Sequence, residues 1–212
     1  AFRRHSRAMS SRAAMSGKPT RPHTLRSADD LAAAGLVAPG EVAGIARVGQ
    51  DYAIGVTPAL AELIRREGRD GPIARQFIPS LDETTTLPAE SGDPIGDDAH
   101  SPVEGIVHRY PDRVLLKLVH VCAVYCRFCF RRAMVGPGRK QTLSPEAVAA
   151  ALDYVRAHPE IWEVILTGGD PLVLSARRLR EAAAAIAAIA HVQVLRIHTR
   201  LPVADPAKVT PA

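Results

Sequence analysis

The sequence predicts an α/β fold, with parallel strands covered by helices and a small helical N-terminal region ahead of them. Three observations carry this. Apolar β-type runs at 114–119, 164–166 and 192–197 alternate with helical signals. The helical stretches open on recognisable caps. The chemically interesting clusters fall just past the C-terminal ends of the runs, where parallel sheets gather ligands.

In chain order, Ser27 to Asp30 reads as a capping box opening a short helix filled by Ala and Leu as far as Leu36. A second helix starts on Thr57 with Pro58 in its first turn, runs through Leu60, Leu63 and Ile64, and stops near Gly68. From Pro79 to Gly105 the chain is rich in Pro, Gly, Asp and Ser without periodicity and reads as a long surface connection. The first strand is Val114 to Val119. Ser144 and Pro145 then open a helix to about Ala157, which His158-Pro159 ends. Val164 to Leu166 is the second strand, running into Thr167-Gly168-Gly169-Asp170-Pro171. Ser175 caps an Ala-rich helix to about Ala190. Val192 to Ile197 is the third strand, running into His198-Thr199-Arg200. Strand, helix, strand, helix, strand makes parallel βαβ units. The expected divisions are a disordered basic tail at 1–26, a helical region and connection at 27–105, and a βα portion at 106–212.

The 212 residues are 47% hydrophobic and 23% charged, an ordinary globular mix. No apolar run is long enough for a membrane helix. The net charge of +5 belongs to the tail: residues 1–26 hold seven of the 27 basic residues and no acid, leaving 20 basic against 22 acidic in the body. The body therefore does not read as a nucleic-acid binder. An Arg/Ser-rich, acid-free start has the composition of a transit peptide, of a disordered extension, or of sequence upstream of a first residue at Met15. With no apolar export segment, a cytoplasmic location with reduced thiols is expected.

All three cysteines, Cys122, Cys126 and Cys129, lie within eight residues, in a C-x3-C-x2-C spacing. That is too close for a disulfide framework. Soft thiolates at these spacings surround one iron–sulfur cube, and three ligands leave one iron open. The zinc alternative needs a fourth ligand, for which His120 is the candidate.

The spacing is that of the radical S-adenosylmethionine (SAM) superfamily. Within it, residues from about Ser101 to Thr210 resemble the lysine 2,3-aminomutase family: Ser101 to Gly105, His108 to Arg113, Cys122 to Arg132, Thr167 to Leu172 and Arg196 to Val203. Gln76 to Gly96 is similar to the family's connection ahead of its barrel. The resemblance implies a partial (βα) barrel of radical SAM type with about six strands, of which three are countable here, so the barrel is expected to be incomplete. It implies a 4Fe–4S cluster on Cys122, Cys126 and Cys129, SAM, and pyridoxal 5′-phosphate (PLP), and the movement of an amino group between adjacent carbons of L-lysine. Phe128 would pack on the adenine of SAM. Gly168 and Gly169 would let backbone approach a ligand, with Asp170 facing the SAM amino group. His198 and Arg200 would neighbour SAM or PLP, though His198 reads equally as a satisfied hydrogen-bonding residue. Arg109, Tyr110 and Arg113 offer two guanidinium forks and a hydroxyl suited to the PLP phosphate, or else a turn carrying an ion pair with Asp112. Arg131 would meet the substrate carboxylate, or else be a solvated arginine.

The family's Schiff-base lysine lies downstream, and Lys208 is not in a matching position. The chain to Ala212 is therefore expected to bind a cluster and SAM without converting lysine. Expected partners are L-lysine or a lysine-like molecule and a reducing electron donor, with no nucleic acid and no membrane; a homo-oligomer is compatible. The alternatives are a β-lysine-forming enzyme serving elongation factor P, and a non-catalytic iron–sulfur or SAM-binding remnant.

Overall fold

The computed structural model describes residues 23–136, 138 and 140–210. The expected disorder of the tail falls mostly outside these residues. Its last part does not fit the expectation: Leu25 exchanges backbone hydrogen bonds with Val56 at 2.8 and 3.0 Å, so the ordered body reaches back past Ser27.

Four helices form the N-terminal region: α1 (Ala28–Ala33), α2 (Val42–Asp51), α3 (Pro58–Glu67) and α4 (Pro72–Phe77). The capping box at Ser27 is present, with Asp30 reaching back to the Ser27 nitrogen. Thr57 caps α3 as its position predicts. The sequence reading contained α1 and α3 but not α2 or α4. Gly44 and Gly49 dilute the stripe of Val42, Ile45 and Val48 in α2, which lacks a side-chain cap, and α4 is only six residues long. The four helices bury one core that includes Leu31, Leu36, Ile45, Leu60, Ile64 and Phe77.

The C-terminal part is a four-stranded sheet in the order β1 (Ile106–Tyr110), β2 (Arg113–Val119), β3 (Glu163–Gly168), β4 (Val194–Ile197). β2, β3 and β4 are parallel, as the alternation of strand and helix predicts. Helices α5 (Pro145–Arg156) and α6 (Ala176–Ala187) make the crossovers, capped by Ser144 and Ser175. β1 is a correction to the predicted strand set. It runs antiparallel to β2 through a two-residue turn, Pro111-Asp112, with Tyr110 opposite Arg113. Its polar residues His108 and Arg109 break the apolar run by which the other strands are recognisable.

Val114, Leu116, Leu118, Val164 and Leu166 point to the helical side, where they meet Ala151, Leu152, Val155 and Ile186. Each such side chain contributes about 1.5–3 kcal/mol through burial. Alternate strand residues (Arg109; Arg113, Leu115 and Lys117; Glu163, Ile165 and Thr167; Arg196) face the opposite, inner side. The segment expected to be a surface connection crosses this inner side. It buries Asp97 at 2% exposure and forms short 3-10 turns at Leu81–Thr84 and Asp98–His100. The result is an open, incomplete barrel wall with a helical region at its N-terminal side.

Candidate functional site

The cysteine loop leaves β2 at Val119 and is held by the N-terminal region. Tyr125 donates its backbone N–H to Gly55, and Arg127 donates its own to Gln76. The Arg127 guanidinium donates to the Ala53 carbonyl at 2.8 Å and forks onto Glu83 at 2.9 and 2.5 Å. Arg132 reaches the same carboxylate at 3.3 Å and lies over the Tyr52 ring at 4.2 Å. Val124 is buried in the N-terminal core, with Cys126 packed against it. The helical region is thus the clamp that shapes the loop.

The turn after β3 is tied to the same loop. Gly169 donates to the Val119 carbonyl at 2.5 Å and Asp170 to Val121 at 2.9 Å. Gly168 has φ +112°, and a Cβ on Gly169 would collide with the Val121 carbonyl and lie 2.6 Å from its nitrogen. Two glycines are needed because two backbones touch here, whatever ligand approaches later.

Asp170 is 4% exposed, and both its oxygens are engaged within the protein. One accepts from the Leu172 N–H at 3.0 Å and from Thr199 Oγ1 at 2.7 Å. The other accepts from the N–H groups of Arg200 at 2.8 Å and Leu201 at 3.1 Å. The carboxylate fastens the loop after β4 to the turn after β3. Beyond that loop, Thr57 donates its hydroxyl to the Ala204 carbonyl in the short helix α7 (Leu201–Ala204), closing the assembly back onto the N-terminal region.

These loops enclose a cavity of about 290 Å³ lined by Cys122, Cys126, Cys129, Phe128 and Arg131, by Gly168, Gly169 and Asp170, and by His198 and Arg200. Ten of the sequence-derived site residues therefore share one wall. The Arg200 guanidinium stands 5.3 Å from the exposed Phe128 ring, and Arg131 stands 4.7 Å from Phe130. Arg131 is far from solvated: it is 9% exposed, and its Nε donates to Asp97 at 2.9 Å.

Burial, reinforced by the charges of Asp170, Cys129 and Cys126, pushes the Cys122 thiol up to about 12. Burial also raises Cys126, while the Arg200 charge opposes it. Among the described residues no three His, Cys, Asp or Glu side chains converge as a metal-binding group. The thiols share a cavity wall without meeting. The donor set nonetheless fits a cluster held at three corners: three soft sulfurs, all free, on one loop around one cavity. His120 lines a different cavity with Gly49, Tyr125 and Gln141, so a three-cysteine, one-histidine zinc set is not assembled.

Arg109, Tyr110 and Arg113 are not gathered with the cysteines. They flank the β1–β2 turn, at the far end of β2, about 20 Å along the strand from the cysteine loop. Tyr110 is 60% exposed. Arg113 forks onto Asp112 at 2.9 and 2.8 Å and approaches Glu163, which Arg196 also grips at 2.6 Å. The ion pair with Asp112 is therefore present. Arg109 lies 3.6 Å from Asp97 and so connects through it to Arg131. Expecting these three ahead of the first strand overlooked β1, which turns them into a hairpin tip. Glu83, Asp97 and Arg127 were also missed. The only sequence signal was the basic pair Arg127 and Arg132 flanking the last cysteines, whose charges need partners once the loop is buried.

The radical SAM superfamily model matches residues 116–208. The chain is 37% identical over 171 residues to an L-lysine 2,3-aminomutase of Clostridium subterminale, covering 81% of this chain and 41% of that protein. It is 38% identical over 161 residues to the L-lysine 2,3-aminomutase of Escherichia coli (strain K12), covering 76% and 46%. It is 40% identical over 161 residues to that of Methanococcus maripaludis, covering 75% and 37%. The chain thus spans less than half the length of these relatives.

Proposed function

For a chain that belongs to the lysine 2,3-aminomutase family of the radical SAM superfamily, we propose the front half of an active site that moves the amino group of L-lysine, or a closely similar amino acid, between adjacent carbons. The observation that carries this is the single cavity joining Cys122, Cys126 and Cys129 to Gly168–Asp170, His198 and Arg200. Superfamily membership implies a 4Fe–4S cluster and SAM; PLP is the part proposed from the names of the relatives. When bound, the cluster and SAM supply a carbon-centred radical, and PLP supplies the conjugated carrier for the amino group.

The chain's own residues divide the remaining work. Cys122, Cys126 and Cys129 would hold the cluster through their thiolates. Phe128, flanked by Arg200, offers a flat face to the adenine. The Gly168–Gly169 backbone admits a ligand closely. Asp170 holds His198 and Arg200 in place by fastening their loop, a positioning role that replaces the direct contact with SAM expected from its charge. Arg131, braced by Asp97, keeps its terminal nitrogens for a carboxylate. Arg109 and Arg113 lie on the inner side of the sheet and, with Tyr110 at the turn, supply donors for the PLP phosphate. Arg113 and Arg196 share Glu163 there and Arg113 also forks onto Asp112, so the donors offered to a phosphate are the remaining guanidinium N–H groups.

The test is anaerobic reconstitution of the chain with iron and sulfide, followed by SAM and dithionite. About four irons per chain are expected, together with release of 5′-deoxyadenosine. Cys126→Ala should lose both. Stoichiometric zinc without iron would sink the reading. Mass detection of β-lysine after adding PLP and L-lysine tests the amino-group transfer separately.

A further inference from the structure

Lys117 lies on the inner side of β2 and is 5% exposed. Its neighbours in the strand, Leu116 and Leu118, point into the helical core, so its side chain points to the other side. It pairs in register with Thr167, which lines the cysteine cavity, and its stem packs against Gly168, where an added Cβ would come within 3.2 Å of its Cα and Cβ.

Among the described residues no hydrogen bond or ion pair holds its ammonium. The one buried carboxylate nearby, Asp97, is engaged by Arg131 and Arg109. Asp93 accepts from the N–H groups of Asp97 and Asp98, and Asp98 is exposed. Burial pushes the amine's pKa down, Asp97 opposes this, and the Arg131 charge lowers it further. Among the described residues the fully enclosed nitrogens without a partner are His108 Nε2 and His120 Nε2, so the Lys117 Nζ, at the end of a largely buried side chain, keeps an open side, and no acceptor there holds the terminal nitrogens of Arg131 either.

We propose that Lys117, on the inner face of the sheet beside the cysteine cavity rather than in its wall, is a second oxyanion-binding residue and that, with Arg131, it grips the carboxylate of the amino-acid substrate. The pocket is then built around two cations of different geometry, a planar fork and a point charge. This rests on the reading of Arg131 as a carboxylate ligand, and the experiment separates the two.

Calorimetric titration of the chain and of Lys117→Met, Lys117→Arg and Arg131→Met uses three probes: L-lysine, its decarboxylated analogue cadaverine, and inorganic phosphate. The wild-type chain should prefer L-lysine to cadaverine. Lys117→Met should weaken L-lysine about tenfold or more and leave cadaverine unchanged, while Lys117→Arg keeps most of the affinity. Unchanged circular dichroism and iron loading in Lys117→Met would show that the fold is intact. If Arg131→Met weakens L-lysine and Lys117→Met does not, Lys117 is excluded and Arg131 stands. If Lys117→Met affects only phosphate, the anion is a phosphate and the proposal is overturned. If the wild-type chain shows no preference for L-lysine, or binds neither amine, both readings fall.

Discussion

Arg127 and Glu83 form a two-pronged ion pair across 44 residues, with the guanidinium 8% and the carboxylate 12% exposed. It joins the segment between the second and third cysteines to the turn ahead of the sheet. Glu83→Gln should leave the buried guanidinium uncompensated and cost about 3 kcal/mol. Urea denaturation should show the loss, and iron content after reconstitution should fall with it. Full iron loading in a destabilised Glu83→Gln chain would mean that the pair stabilises the fold without shaping the loop.

Asp170 gives a prediction that separates fastening from ligand contact. Asp170→Asn keeps one carbonyl oxygen and loses the charge that four donors share. A loss of about 3 kcal/mol is expected, with Asp170→Ala losing more. Hydrogen exchange should accelerate at the Arg200 and Leu201 amides even without SAM. Protected amides in Asp170→Asn would return the carboxylate to a purely ligand-binding role.

Gly169→Ala should displace the turn after β3, because the new methyl meets the Val121 backbone rather than a side chain that can swing aside. Gly40→Ala is the control, since nothing lies within 4 Å of a Cβ built there. Iron loading and SAM affinity should drop in Gly169→Ala and be unchanged in Gly40→Ala. Equal behaviour of the two would remove the close-approach argument.

Acid stability tests the hairpin tip. The Arg113 guanidinium, and after it the Trp162 indole N–H, hold the Asp112 carboxyl well below its ordinary 3.8. Because the folded value lies below the unfolded one, the stabilising contribution is present above about pH 4 and is lost as pH falls through the folded value. The urea midpoint of the parent chain should fall on acidification below about pH 4, and that of Asp112→Asn should fall less. Parallel curves for the two proteins would show that Asp112 does not report on this pair.

The parallel strands and their helices were legible because caps and periodicity coincide: Thr57, Ser144 and Ser175 each stand one residue before an observed helix. The cavity-lining residues were legible because they follow strand ends. β1 was hidden by His108 and Arg109, which are polar for reasons of tertiary contact: His108 bonds the Tyr154 hydroxyl at 2.7 Å and Arg109 faces Asp97. Asp97 and Glu83 were not legible at all. They sit among the acidic and Pro/Gly residues of an aperiodic stretch, and only folding over the inner side sets them apart from Asp98 or Asp82. Lys117 is the converse, a charge inside an apolar strand, visible in the sequence but meaningful only once no partner for it is found among the described residues.

The hydrogen bond from Thr57 to Ala204 spans 147 residues. Pairing at such separation raises contact order and carries a large loop-closure cost before it contributes anything, which slows folding. The buried Thr57 also caps α3, so the last surface of the N-terminal region is completed only when the polypeptide following β4 arrives. On a ribosome this region therefore emerges first and finishes late, because Ala204 belongs to the core it builds.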